Sequence, residues 1–279
     1  MKILFIGAHQ DDNEFDCGGL AMTYIDRGHE VRFLSVCNGC GGHHILSPEE
    51  TTATRAKESA AVAEYLGITY DVWDFDDCSI VPDLETRRRL IRYIRAFAPD
   101  LIVSHRPNDY HADHRTVGQL VQDASYMLIV PHECPDVPAM RKTPVILYSG
   151  DYFTNPPFRP DFVFDITPYI ERKMHIASLN VSQVFEWLPY TNGETVPEGE
   201  AERLAFLRGT EIDENSTDKE VLAAYPTRYV KFAKPAAKCR KELIKKYGRR
   251  GRKIRFAEMY QLCEYSGAIT DEVRKELLV

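Results

Sequence analysis

No apolar run in this 279-residue chain approaches the about 18 residues that would point to a helical membrane span. Seven cysteines make an odd count without regular spacing, so no disulfide framework is expected, and a chain of this length buries enough core to need none. Met1-Lys2 runs straight into an apolar stretch, with no basic-apolar-small leader, so a cytoplasmic location with reduced thiols is expected. Excess basic charge is missing too: the net charge is −7, which argues against a nucleic-acid partner. The one basic block, Lys238 to Arg255, reads as a solvated helix face followed by a turn. The dinucleotide fingerprint G-x-G-x-x-G is absent: after the first strand the glycines are Gly7, Gly18 and Gly19. Internal repeats, low-complexity tracts and linkers are also wanting.

What is present is ordinary globular composition, 44% hydrophobic and 28% charged. Residues 2–8, 31–36, 70–75, 100–104 and 145–148 read as five strands, and helical patterns alternate with them. Gly18-Gly19 opens the first helix, Ser47-Pro48 the second and Asp83 the third. A fourth is expected over about Asp113 to Ile129. Such alternation predicts an α/β fold, a Rossmann-like, mostly parallel sheet flanked by helices. Beyond Gly150 the pattern degrades, with one more helix expected over Ile166 to Trp187. The chain reads as a single domain over 1–279, a core at 1–150 and a C-terminal elaboration at 151–279.

Two polar clusters sit at strand ends, where open parallel sheets bind ligands. "HQDD" places His9, Asp11 and Asp12 after the first strand, and "NDYHADH" places Asp109, His111, Asp113 and His114 after the fourth. First and fourth strands are neighbours in a doubly wound order, so the clusters should meet. His9, Asp12 and His114 supply the two imidazoles and one carboxylate of a catalytic divalent-metal site. One of the paired aspartates can bind the ion while the other stays free as a base. His111 can reach the same site and stabilise an oxyanion, with Asp113 fixing its tautomer.

"AHQDDNE" (Ala8 to Glu14) together with "HADH" (His111 to His114) resembles the LmbE-like, or PIG-L, family of zinc-dependent N-deacetylases. "CGG" at Cys17, "NG" at Asn38 and "RAKESAAVAEYLGI" from Arg55 extend the resemblance over Met1 to Leu120, with "RFAEMYQL" from Arg255 as a late match. The resemblance implies that His9, Asp12 and His114 bind Zn2+, with Fe2+ or another divalent ion as the alternative. It implies Asp11 as general base, a protonated His111 at the oxyanion, Asp113 as its orienting partner and Arg55 as a substrate contact. Two positions depart from the family pattern: Gln10 stands in place of its proline and Cys37 in place of its threonine. The implied reaction removes acetyl from an N-acetylated, N-acetylglucosamine-type amino sugar, releasing acetate and a free amine. An amidase on a thiol-sugar conjugate and a non-catalytic metal- or sugar-binding homologue are the alternatives. The family's habit of self-association makes a homo-oligomer an expectation.

Two rival readings have weaker support. Cys37-x-x-Cys40 has redox or zinc spacing, but Gly39, Gly41 and Gly42 argue for a glycine-rich loop over the site. A phospho-acceptor receiver domain would need a lysine after the fifth strand, where Tyr148-Ser149-Gly150 stands instead.

Overall fold

A computed structural model describes residues 1–209, 211–225 and 228–278. Seven strands form one sheet in the order β3-β2-β1-β4-β5-β7-β6: β1 (Lys2–Gly7), β2 (Glu30–Cys37), β3 (Thr69–Phe75), β4 (Leu101–Ser104), β5 (Val145–Ser149), β6 (Phe162–Asp165) and β7 (Ala257–Leu262). The first five run parallel, and β7 lies antiparallel between β5 and β6. The helices are α1 (Asp12–Asp26), α2 (Pro48–Leu66), α3 (Leu84–Phe97), α4 (Ala112–Met127), α5 (Ile170–Leu179), α6 (Leu188–Asn192), α7 (Glu200–Arg208), α8 (Asp218–Ala223), α9 (Arg228–Lys238), α10 (Arg240–Tyr247) and α11 (Asp271–Leu277). None is long and apolar enough, among the described residues, to cross a membrane.

Side chains alternate across a strand, and both faces of this sheet are apolar. Leu4, Ile6, Ile102 and Ile146 pack under α3 and α4 through Leu90, Ile91, Ile94, Val117 and Leu120. Ile3, Phe5, Leu101, Val103 and Leu147 pack under α1, α2 and α5 through Leu20, Val62 and Ile176. Central strands covered on both faces read as continuous apolar runs, which is why β1 and β4 were plain in the sequence.

Three expectations need correction. Gly18-Gly19 does not open α1, which begins at Asp12. Those glycines lie mid-helix because a Cβ on Gly19 would come 2.5 Å from Ile166 Cγ2, and one on Gly18 2.9 Å from Ile176 Cδ1. They let α1 approach its neighbours closely. The helix expected over Ile166 to Trp187 is broken into a 3₁₀ turn, α5 and a π-helix at Ser182–Trp187. Glu58 of α2 causes part of this: it accepts from both the backbone N–H and the hydroxyl of Ser182, each at 2.7 Å. Finally, residues after Gly150 supply two strands that the pattern did not show. Glu258 interrupts the apolar run of β7, yet it is buried against Lys173, and its carboxylate accepts from Gly19 N and Leu20 N.

Candidate metal centre

Strand β1 delivers its chain into a sharp turn. Asp11 adopts φ 109° and ψ −31°, a region that non-glycine residues seldom occupy and that concentrates at functional sites. The turn sends adjacent carboxylates in different directions. Asp12 Oδ2 folds back to accept from Ala8 N at 3.0 Å, His9 N at 2.8 Å and His105 Nε2 at 3.1 Å. Its other oxygen, Oδ1, lies 3.4 Å from His114 Nε2. Asp11 Oδ1 instead lies 3.5 Å from Arg55 Nη2.

The fourth-strand cluster meets this turn. His114 Nδ1 is 3.1 Å from Asp109 Oδ1, which leaves Nε2 to face Asp12. His9 Nε2 is 3.1 Å from Asp113 Oδ2, and its Nδ1 lies 3.7 Å from Asp12 Oδ2. Ligand atoms of His9, His111 and His114 all fall within 4.8 Å of one another, and so do those of Asp12, His105 and His114. His9 and His114 thus each have one nitrogen beside an outer carboxylate, Asp113 or Asp109, and the other towards Asp12, the arrangement by which outer carboxylates fix metal-binding histidines. The donor chemistry, two imidazoles and one carboxylate, fits zinc and Fe2+ alike.

Both aspartates are half-buried, but their proton affinities diverge. Burial raises the Asp11 carboxyl to about 6, against the pull of Arg55 and with a further push from Asp12. Burial acts on Asp12 too, yet the charges of His114 and His105 and its hydrogen bonds outweigh it and hold that carboxyl well below the usual range. His9 is likewise penalised by burial, but its bonds to Asp113 and Asp12 raise it well above the ordinary imidazole value. A cation binds only the neutral imidazole, so loading this centre releases protons.

His111 is the N-cap of α4: its Nδ1 accepts from Asp113 N at 3.2 Å. A neutral His111 therefore carries its proton on Nε2. Burial, with the nearby His9 and His114, lowers its pKa. The carboxylate of Asp113 lies 3.8 Å from His111 Nδ1 but 3.1 Å from His9 Nε2, and it also accepts from Cys78 N at 2.7 Å.

Arg55 is 2% exposed, and among the described residues its Nε and Nη2 have no hydrogen-bond partner. Gly39 and Gly42 lie against it so closely that a Cβ on Gly39 would come 2.7 Å from its Cδ. The glycine-rich loop is clasped by Asp77, whose two oxygens accept from Gly39 N and Gly41 N at 2.9 Å each. Cys37 and Cys40 are free thiols, and Cys37 Sγ turns inward to Asp113 at 3.6 Å.

Sequence reasoning gave no role to His105, which stacks on His114 at 4.1 Å, nor to Asp109 and Asp77. A polar residue directly after an apolar strand was the available signal for His105. Asp77 carried none.

Residues 4–125 match the family described as GlcNAc-PI de-N-acetylase, or PIG-L. These residues belong to the PIG-L family. A 4-oxalmesaconate hydratase of Pseudomonas putida is 24% identical over 220 residues, 76% of this chain and 81% of its own. A diacetylchitobiose deacetylase of Thermococcus kodakarensis is 27% identical over 201 residues, 68% of this chain and 74% of its own. Among solved structures, the N,N'-diacetylchitobiose deacetylase of Pyrococcus horikoshii superposes with a TM-score of 0.66 at 19% identity, covering 95% of this chain and 84% of that one. The last likeness is one of fold. The relatives of this chain are thus enzymes of two kinds, a deacetylase and a hydratase.

Proposed function

We propose that the protein is a metal-dependent hydrolase that removes an acetyl group from an N-acetylated amino sugar. The observation that carries this reading is the divergence of Asp11 and Asp12: one carboxylate is bonded into the His9/His105/His114 cluster, while the other faces Arg55. His9, Asp12 and His114 would hold the ion, which supplies a Lewis acid and lowers the pKa of water when bound. Asp11 accepts the proton of the attacking water and delivers it to the leaving amine. His111 Nε2–H donates to the carbonyl oxygen as charge develops there; its loss costs about 10²–10³ in rate. Asp109 and Asp113 hold the His114 and His9 rings, and Arg55 holds a hydroxyl or carbonyl of the substrate with its unpartnered donors.

The test is Asp11→Asn with metal content monitored, assayed by acetate release across N-acetylated sugars. Retained metal with turnover lowered by about 10²-fold or more is expected for a lost general base; near-normal turnover contradicts the assignment. A hydratase reading has its own support in the Pseudomonas putida relative. Hydration of an unsaturated dicarboxylate, with no acetate released from any N-acetyl compound, would favour it.

A further inference from the structure

The turn that follows β3 brings a thiol to the rim of the metal centre. Cys78 is exposed, adopts φ 64°, and donates its N–H to Asp113 Oδ2 at 2.7 Å. Ligand atoms of Cys78, His111 and Asp113 then all lie within 4.8 Å of one another. The His9/Asp12/His114 set contains none of these three residues, and this one adds a sulfur. Thiolate, imidazole and carboxylate together suit zinc, cadmium or cobalt and disfavour magnesium or calcium.

We propose that Cys78, His111 and Asp113 form a second, inhibitory site for a thiophilic divalent cation. Binding replaces the Cys78 S–H bond with an S–metal bond and releases that proton to solvent, with no change of oxidation state. It also takes His111 from its capping bond with Asp113 N. Coordination through Nδ1 leaves the proton on Nε2 but turns the ring towards Cys78 and Asp113, so the Nε2–H donor used in the proposed reaction is drawn out of position while the first cation stays in place. This inhibition rests on the reading above, whereas the binding does not.

The experiment uses full-length protein loaded with one equivalent of zinc and titrated with Co2+ or Cd2+. The wild type takes up a second equivalent, shows a Co2+–thiolate charge-transfer band, and has Cys78 protected from alkylation, as read by mass spectrometry. Cys78→Ser keeps the backbone N–H that holds Asp113. It loses the band and weakens the second equivalent by at least the about 10–100-fold that lesser changes around metal sites cost. Cys40→Ser behaves as wild type, and Mg2+ gives neither band nor protection. Where hydrolysis is measurable, excess zinc inhibits the wild type and spares Cys78→Ser. A stoichiometry that stops at one, a band that survives in Cys78→Ser, or a band lost in Cys40→Ser overturns the proposal. Each of these outcomes is read without turnover, so failure here is distinct from absence of deacetylase activity.

Discussion

Asp11 and Asp12 are both half-buried, and loss of water around them alone would raise both carboxyls. They separate because His114 and His105 surround one and Arg55 faces the other. The same logic gives weight to Asp109, which touches His114 on the side away from Asp12. Asp109→Asn keeps the shape but weakens the acceptor that fixes the ring. We expect metal affinity to fall by about 10–100-fold with the fold unchanged, measured by competition with a chromogenic chelator. Unaltered affinity would show that His114 needs no such support.

Among the elements, α4 holds the fourth-strand cluster through its N-terminus, and Arg95 of α3 secures its other end. Arg95 is 4% exposed. Its guanidinium donates to the carbonyls of Met127, Leu128, Val130, Glu133, Cys134 and Val137. Helix C-termini leave carbonyls without intrahelical partners, and here one cation collects them together with those of the following loop. Arg95→Met removes these donors from buried acceptors. A loss of about 3 kcal/mol or more follows, read as a lower urea midpoint with an unchanged slope. Metal binding should survive in the fraction that folds, because Asp109 to His114 sit at the opposite end of the helix.

For the whole molecule, the question is whether residues after 150 are an appendage. Strand β7 lies between β5 and β6, and its Glu258 reaches across to α1, with Lys173 of α5 as counter-ion. Lys173 is 0% exposed. Lys173→Met leaves a buried carboxylate without its cation, and about 3–5 kcal/mol of stability is expected to go. Lys173→Met combined with Glu258→Gln should recover part of that loss. We propose that residues 1–279 unfold together. Separate transitions for the parts before and after residue 150 in calorimetry would contradict this, as would a variant at 173 that melts only one of them.

The amino-acid sequence by itself determined the five parallel strands, because central strands must be apolar throughout, and the two motifs at their ends, because ligand chemistry needs those residue types. It also placed a glycine-rich loop after β2. Tertiary structure alone decided the rest. Asp113 turns its carboxylate more closely to His9 than to His111, because the first turn of α4 points it there and Cys78 N holds it. Glu258 hid β7, since a carboxylate in a strand looks exposed until a lysine from another helix is known to meet it. Glycines at 18 and 19 looked like a helix start, since nothing local shows that Ile166 and Ile176 press on them. The difference is physical: periodicity and residue type are local properties of a chain, whereas the partner of a buried charge or a missing Cβ comes from segments far away in sequence.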